Sequence, residues 1–175
     1  NEMPSGDVTG LVGQYAHGNE PSHHMAYLYN YAGKPWKTQE VVARILTTLY
    51  SDKADGLCGN DDAGQMSAWY ILSSMGFYPV TPGLPYYTIG FPLFDKVNLH
   101  LENGKEFIIR TEKTGAKNTY IQSATLNGRD YPKSYLNHAD IMQGGELVFI
   151  LGDLPQKSWG SMQEDRQQTP AYPSA

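Results

Sequence analysis

The residue pattern of this chain changes near residue 80, and this change constrains the fold more than any other feature. Before that point, apolar residues recur at spacings of three and four, which is typical of amphipathic helices. The clearest case is the segment 36–50, whose apolar positions are Val41, Val42, Ile45, Leu46 and Leu49. After residue 80 come Pro- and Gly-rich turns and short β-like runs. Helices followed by strands predict an α+β fold.

Two further helices are predicted in the first part. One spans residues 22–31, between Pro21 and Gly33, because Pro at the start and Gly just past the end mark helix boundaries. The other spans residues 62–75 and ends at Gly76. Three helices with this much Trp, Tyr and Met surface cannot enclose their own apolar faces. We therefore expect the chain to be part of a larger helical body, and self-association is a second expectation.

The second part is predicted to form a small antiparallel β region. Its β-like runs are 96–101, 106–111, 119–126 and 146–151. The dipeptides Asn103-Gly104 and Asn127-Gly128 are strong hairpin signals, and residues 138–143 fit one short helical turn. The predicted division is a helical part (1–80), a connector with the antiparallel β region (81–155), and a loose tail (156–175).

Composition argues against several classes of partner. The net charge is −5 and the chain has no basic run, so a nucleic-acid partner is not expected. No apolar stretch approaches about 20 residues, so no membrane span is predicted. We expect no signal peptide at the N-terminus. The single Cys58 excludes an intrachain disulfide.

The residues from His17 to His24 form the first polar cluster, just before and into a predicted helix. Asn19 and Glu20 lie at the helix start, where free backbone N–H groups and the helix dipole favour a carboxylate. Asn and Glu also supply the oxygen ligands that a hard cation needs. The simpler interpretation is a helix cap with two surface histidines. His23 and His24 are adjacent, so they do not form a zinc site of histidines four residues apart.

The residues from Gly59 to Gln65 form the second polar cluster, at the start of the third predicted helix. The simpler interpretation is an ordinary N-cap, but one acidic residue would suffice for that. The consecutive carboxylates of Asp61 and Asp62 repel each other unless a cation or a proton intervenes. This cluster therefore indicates a metal site, an acid/base role or both, and it matches no EF-hand spacing.

Seven segments together carry a resemblance to a known family. They are 17–24, 27–33, 35–39, 59–70, 76–80, 92–97 and 120–128. Over nearly all of residues 10–152, the chain resembles the C-terminal part of glycoside hydrolase family 92, the calcium-dependent exo-α-mannosidases of bacteria. The two polar clusters, in this order and at this separation, make the resemblance specific.

The resemblance implies a fold, a reaction and a location. Family members pair an N-terminal β-sandwich with an (α/α)6 toroid, so the helices of this chain would belong to an incomplete toroid. The enzymes remove terminal α-linked mannose from glycans, including N-glycans, with inversion of the anomeric centre. A Glu protonates the leaving oxygen, an Asp activates water, and Ca²⁺ contacts two sugar hydroxyls. They are exported to the periplasm or the cell surface.

The resemblance assigns the second cluster to the catalytic step. Asp62 would be the general base, and Asp61 and Asn60 would support it. An inverting site needs two carboxyl groups about 6.5–9.5 Å apart, which leaves room for the attacking water. A helix N-terminus and a nearby cation would keep such a base ionised.

The resemblance assigns the first cluster to the ion and the sugar. The metal ligands would be Asn19, Glu20 and Asp61. The substrate-binding residues would be His17, Glu20, His23 and His24, with His17 in the leaving-group subsite. A divalent ion that holds neighbouring hydroxyls would orient the sugar ring and stabilise developing charge.

One part of the family pattern is missing from this sequence. The general acid of the family lies upstream of the first cluster in a Glu-Gly-Asn-like motif, which this chain lacks. We therefore expect the rest of a parent chain to supply the acid, and we expect this chain alone to hydrolyse no mannoside. Two alternatives stay open. One is a calcium-dependent mannose-binding module without catalysis, and the other is a structural fragment whose site is not formed.

Overall fold

The structure is a computed structural model that describes residues 8–167, and its helices precede most of its strands. The helices are α1 (Leu28–Tyr31), α2 (Pro35–Thr48), α3 (Gln65–Met75) and the short α4 (His138–Met142). The predicted helix 36–50 is confirmed as α2, and the predicted helix 62–75 is confirmed from Gln65 onward as α3, since residues 62–64 form a 3-10 turn. Gly76 follows the last residue of α3, and its φ of 104° suits a residue without a Cβ atom. Within residues 8–167, no helix has the length and apolar character needed to cross a membrane.

The predicted helix over residues 22–31 is only partly correct. Two 3-10 turns, Glu20–Ser22 and Met25–Tyr27, precede α1. The Ser22 hydroxyl donates to the carbonyl oxygens of Ala16 at 2.5 Å and Asn19 at 2.7 Å. Such side-chain bonds to the backbone compete with the α-helical ladder and favour the tighter turn.

Ten strands form a hairpin and two sheets among the described residues. They are β1 (Leu11–Val12), β2 (Tyr15–Ala16), β3 (Phe77–Tyr78), β4 (Tyr86–Ile89), β5 (Lys96–His100), β6 (Glu106–Lys113), β7 (Tyr120–Leu126), β8 (Arg129–Asp130), β9 (Tyr135–Asn137) and β10 (Gly145–Gly152). β1 pairs with β2, and a three-stranded antiparallel sheet has the order β3-β4-β9. The sequence patterns miss this sheet, because strands of two to four residues are too short to show alternation.

The five-stranded sheet corrects one prediction. Its strand order is β5-β6-β10-β7-β8, and β10 pairs in parallel with β6 while the other three pairs are antiparallel. The β region is therefore mixed and not purely antiparallel. β10 takes the central position because its alternate residues Leu147, Phe149 and Leu151 are fully buried in the core.

Both predicted Asn-Gly hairpins are confirmed. β7 and β8 pair through Leu126 and Arg129, so Asn127-Gly128 is a two-residue turn with φ values of 52° and 74°. Positive φ at both positions is the signature of a type I′ turn. At the other hairpin, β5 pairs antiparallel with β6, and the Gly104 amide donates to the Leu101 carbonyl at 2.9 Å.

The helices and the sheets share one hydrophobic core. It includes the fully buried Ile45 of α2, Trp69 of α3, Phe107 of β6 and Phe149 of β10. The Gln39 side chain of α2 also accepts a hydrogen bond from the Ile121 amide of β7 at 3.1 Å. The α+β class is therefore confirmed, whereas the division at residues 80 and 155 into separate domains stays a prediction.

The described part of the predicted loose tail, residues 156–167, packs against the rest of the chain. Trp159 is 8% exposed, and its indole N–H donates to the Tyr131 carbonyl at 3.2 Å. The Asp165 carbonyl accepts from the Ser134 amide at 2.8 Å. The burial of the Trp159 ring holds this segment against the core despite its polar composition, because a large ring removes much apolar surface from water. Residues 168–175 of the predicted tail lie outside the described residues.

Candidate active site

The two polar clusters lie against each other at their glycines. A Cβ atom added to Gly59 would lie 2.5 Å from Cα of Gly18, and one added to Gly18 would lie 2.8 Å from the carbonyl oxygen of Cys58. Only glycine permits backbones to approach this closely. The hairpin of β1 and β2 positions the first cluster, since the His17 amide donates to the Gly10 carbonyl at 3.1 Å.

His17 lies in a buried aromatic layer with a full set of hydrogen bonds. Its Nδ1 is 2.7 Å from the Tyr15 hydroxyl, and its Nε2 is 2.6 Å from the Tyr50 hydroxyl. The Tyr50 hydroxyl donates to the Met66 carbonyl at 3.2 Å. Because that bond uses the Tyr50 proton, His17 Nε2 carries a hydrogen and Tyr15 donates to Nδ1. The Trp69 ring packs edge-on against His17, with 4.3 Å between ring centres.

Burial keeps this layer uncharged at neutral pH. His17 is 0% exposed, and the cost of desolvating a charged imidazole lowers its pKa to about 3, with a smaller contribution from His23. Burial also lowers the pKa of His23 and raises the pKa values of Tyr15 and Tyr50 above their usual range. The layer therefore forms a rigid, neutral support for the loops that contact it.

A hydrogen bond joins the two clusters through His23 and Gln65. His23 Nε2 is 3.0 Å from the carbonyl oxygen of His17, so this nitrogen carries the hydrogen and Nδ1 is an acceptor. The Gln65 carboxamide nitrogen is 3.1 Å from His23 Nδ1 and 3.0 Å from the Tyr78 hydroxyl. The Trp69 indole N–H donates to the His23 carbonyl at 3.1 Å. The first cluster is thus bound to the first residue of α3.

Asp61 caps the N-terminus of α3. Its carboxylate accepts hydrogen bonds from the Ser67 amide at 3.0 Å and from the Ser67 hydroxyl at 2.7 Å. These bonds stabilise the ionised carboxylate and lower its pKa. The structure therefore gives Asp61 the capping role of the simpler interpretation. Its roles as a metal ligand and as a support for the base stay predictions.

Asp62 and Asn60 lie on the exposed surface beside this cap. Asp62 begins the 3-10 turn Asp62–Gly64, in which Ala63 has a left-handed φ of 53°. Within residues 8–167, the Asp62 side chain makes no hydrogen bond or ion pair. A carboxylate that is exposed and unpaired on a constrained turn is available to a water molecule or a ligand.

Glu20 has a buried carboxylate oxygen, Oε1, with no hydrogen-bond partner among the described residues. Such an oxygen is costly unless a cation or a donor binds it. The neighbouring Asn19 is half-buried, and carboxylate and amide oxygens are the ligands that Ca²⁺ prefers. These two residues therefore fit part of a calcium site. In residues 8–167, no group of three or more His, Cys, Asp or Glu side chains could hold a metal.

Two of the predicted substrate-binding residues are buried within this chain: His17 is 0% exposed and His23 is 1% exposed. Both hold the loops in place through the hydrogen bonds described above, and their substrate contact stays a prediction. His24 and Glu20 are half-buried and keep accessible surface, so substrate contact at these two positions stays a prediction.

Sequence patterns give no specific role to four polar side chains that build this region, although Gln65 ends the second cluster. They are Tyr15, Tyr50, Gln65 and Tyr78. The content of 13 Tyr residues does not single out which hydroxyls meet a histidine. At Gln65 a signal does exist, because it lies three residues after Asp62, the spacing of an acidic N-cap and the Gln of a capping box.

The exposed Asp62 carboxylate on a constrained turn, beside a neutral aromatic layer, fits one of the two carboxyl groups that a glycoside hydrolase needs. Comparison with known proteins identifies the family. The model of the glycosyl hydrolase family 92 catalytic domain matches residues 1–153. The chain therefore belongs to glycosyl hydrolase family 92.

Known proteins similar to this chain are much longer. A family GH92 α-mannosidase from Bacteroides thetaiotaomicron, solved in complex with mannoimidazole, is 39% identical with a TM-score of 0.91, covering 97% of this chain and 22% of that chain. A family GH92 inverting mannosidase from Bacteroides thetaiotaomicron VPI-5482 is 47% identical with a TM-score of 0.83, and the match covers 89% of this chain and 21% of that chain. An uncharacterized secreted glycosidase of Arthroderma benhamiae is 36% identical over 151 residues, and the match covers 85% of this chain and 19% of that protein. This chain spans about a fifth of their length.

Proposed function

We propose that this chain forms part of the active site of an inverting, calcium-dependent exo-α-mannosidase that removes terminal mannose from glycans. The observation that carries the proposal is the junction of the two acidic loops, made by the Gly18–Gly59 contact and the Gln65–His23 hydrogen bond. Membership of family 92 and the likeness to an α-mannosidase solved with mannoimidazole support the substrate class.

In the proposed mechanism, Asp62 is the general base. Its exposed carboxylate accepts a proton from the water that attacks the anomeric carbon, on the face opposite the leaving group. Asp61 fixes the backbone next to this base through its two bonds to Ser67. Asn60 is exposed on the same loop and supports the base from there.

Glu20 and Asn19 are the proposed calcium ligands of this chain, with Asp61 as a third candidate. The support is the unpartnered Oε1 of Glu20, an oxygen that a cation would satisfy. When bound, Ca²⁺ would polarise and orient two neighbouring hydroxyls of the sugar. His24, half-buried beside this turn, is a candidate substrate contact. The remaining ligands would come from backbone carbonyls, water, the sugar or the parent chain.

The general acid is proposed to lie in another part of the parent protein. The chain spans about a fifth of the relatives that it matches, which leaves room for an upstream acid and for the remaining helices of an (α/α)6 toroid. Export to the periplasm or the cell surface is part of the same proposal. Its support is the similarity to a protein named a secreted glycosidase.

The test uses the full-length parent protein and a panel of α-linked mannobioses. We expect release of mannose, with the β-anomer as the first product seen by proton NMR. Removal of calcium with EGTA should abolish release, and added Ca²⁺ should restore it. Asp62→Asn should lower kcat by about 10²–10⁴-fold, the typical contribution of general acid–base catalysis. Asp55→Asn, which changes another exposed carboxylate in a turn, is the matched control and should leave kcat unchanged.

Two results would refute this mechanism. Full activity of Asp62→Asn would remove Asp62 from the catalytic step, and a first product of α-mannose would exclude inversion. Saturable, calcium-dependent mannose binding by a parent protein that never turns over would instead support the binding-module alternative.

A further inference from the structure

The loop that carries Asp62 is held at both ends. On one side, the Asp61 carboxylate accepts two hydrogen bonds from Ser67. On the other side, the Gln65 carboxamide nitrogen bonds His23 at 3.1 Å and Tyr78 at 3.0 Å. Between these anchors, Ala63 and Gly64 are both left-handed, with φ of 53° and 76°. An alanine keeps such a conformation only where its surroundings enforce it.

The orientation of the Gln65 amide follows from the hydrogen bonds around it. His23 Nε2 faces the carbonyl oxygen of His17, which can only accept, so Nε2 carries the hydrogen. In the neutral ring Nδ1 is then the acceptor, and it requires the NH₂ group of Gln65. The second N–H of that group points to the Tyr78 oxygen. Both donors of Gln65 are used, which fixes its rotamer.

These bonds continue into the buried aromatic layer. The Nε2–H group of His23 donates to the backbone carbonyl of His17. The ring of His17 is itself hydrogen-bonded to the hydroxyls of Tyr15 and Tyr50. The start of α3 is therefore connected, without a break, to the turn that carries Glu20. Gln65 is the residue at which the connection passes from one acidic loop to the other.

We propose that Gln65 is a positioning residue that holds the Asp62 loop in register with the Glu20 loop, acting through His23. This inference rests on the proposed role of Asp62 as the base, and it deepens that role. The helix itself does not require Gln65 for capping, because Asp61 already satisfies the Ser67 amide. The main effect of the Gln65–His23 bond is therefore to fix the position of one loop relative to the other, and not to stabilise α3.

The kinetic test compares two Gln→Met variants in the full-length parent protein. Gln65→Met keeps the side-chain length but removes both donors. We expect kcat to fall about 10- to 100-fold, as for supporting residues of other sites, with KM changed less than about threefold. Gln122→Met is the matched control, because the Gln122 amide also donates to two acceptors, the carbonyls of Tyr120 at 3.0 Å and Leu154 at 2.9 Å. It should leave kcat unchanged.

A spectroscopic test does not depend on activity. In this chain, ¹⁵N NMR of the imidazole groups should show His23 as a single Nε2–H tautomer. Gln65→Met should give a mixture of tautomers, whereas Tyr78→Phe, which leaves the His23 bond in place, should keep the single form. If the wild-type parent released no mannose, the proposed function would fail. The tautomer measurement would still show whether the Gln65–His23 hydrogen bond holds His23 in one form.

Each outcome is decisive for Gln65. A loss of kcat in Gln65→Met but not in Gln122→Met, together with a mixed His23 tautomer, supports the proposal. Equal kinetic effects of the two variants, or an unchanged His23 tautomer in Gln65→Met, would overturn it.

Discussion

Gly18 and Gly59 pack backbone against backbone, so that a Cβ atom on Gly59 would lie only 2.5 Å from Cα of Gly18. Each glycine belongs to one of the two polar clusters, and 40 other residues separate them along the chain. The absence of two Cβ atoms therefore permits the close approach of the two acidic loops.

Gly59→Ala should destabilise the chain by about 1–3 kcal/mol, because the added methyl group meets backbone that cannot move aside locally. Urea unfolding followed by Trp fluorescence measures the effect. Asn60→Ala changes the next, exposed residue and should stay within about 0.5 kcal/mol of wild type. Equal stability of the two variants would mean that the loops do not pack as described.

The stability of the chain should fall as the pH drops below about 6.5, because His17 stays neutral in the fold. An unfolded His titrates near 6.5, whereas burial lowers the folded pKa of His17 to about 3. Between these values the unfolded state binds the proton and the folded state does not. Each pH unit in this window therefore costs up to about 1.4 kcal/mol, measurable as a shift of the urea midpoint.

His17→Asn isolates this contribution. The variant should be less stable at neutral pH, since Tyr15 and Tyr50 lose their shared partner, but its stability should depend less on pH between about 5 and 6.5. His23, whose pKa is also lowered by burial, accounts for a remaining slope. His100→Gln is the control, because His100 is exposed beside Glu106. An unchanged pH dependence in His17→Asn would contradict the assignment.

The sequence predicts those parts of the fold that local chemistry decides. α2 has a clear three-four apolar period and begins at Pro35, and Asn127-Gly128 forms the expected two-residue turn. The parallel pairing of β10 with β6 was not predictable in this way. β10 lies between β6 and β7 because of how the whole sheet buries its apolar residues, and no local signal encodes that order.

The same distinction applies to the site. Consecutive Asp residues and the Asn19-Glu20 pair mark the acidic loops, because excess charge at a helix start is visible in the sequence. The burial of His17, in contrast, cannot be predicted from the sequence. Its ring is tolerated inside because the hydroxyls of Tyr15 and of Tyr50, 33 residues away, meet Nδ1 at 2.7 Å and Nε2 at 2.6 Å. The simpler interpretation predicted His23 and His24 at the surface, whereas hydrogen bonds to His17 and Gln65 hold His23 inside.

Asp61→Ala should lower the urea midpoint, because the Ser67 amide and hydroxyl lose their acceptor. The bonds to Ser67 lower the pKa of Asp61, so the contribution of this cap is complete above the pKa of an unfolded Asp and is lost as the pH falls through the lower folded value. Asp62→Ala is the neighbouring control without a hydrogen bond in residues 8–167. A midpoint that moves equally in both variants would argue against the cap.

The isolated 175-residue chain should release no measurable mannose from any α-mannobioside. If the parent supplies the general acid, as proposed, its loss alone would typically cost 10²–10⁴-fold in rate, and pocket walls supplied by the parent would add to that loss. A coupled assay for free mannose, with the full-length parent as the positive control, makes the comparison. Calcium-dependent release by the isolated chain would show that all catalytic groups lie within it.

Ala63→Gly should stabilise the chain, because Ala63 has a left-handed φ of 53° that glycine adopts without a steric cost. The left-handed conformation costs an alanine about 1–2 kcal/mol, and the greater backbone entropy of an unfolded glycine offsets part of the gain. We therefore expect a net gain of up to about 1 kcal/mol in thermal unfolding. Ala68→Gly, the same substitution at an exposed position of α3, should instead destabilise by about 1 kcal/mol. If both variants lost stability, Ala63 would not be strained in the folded chain.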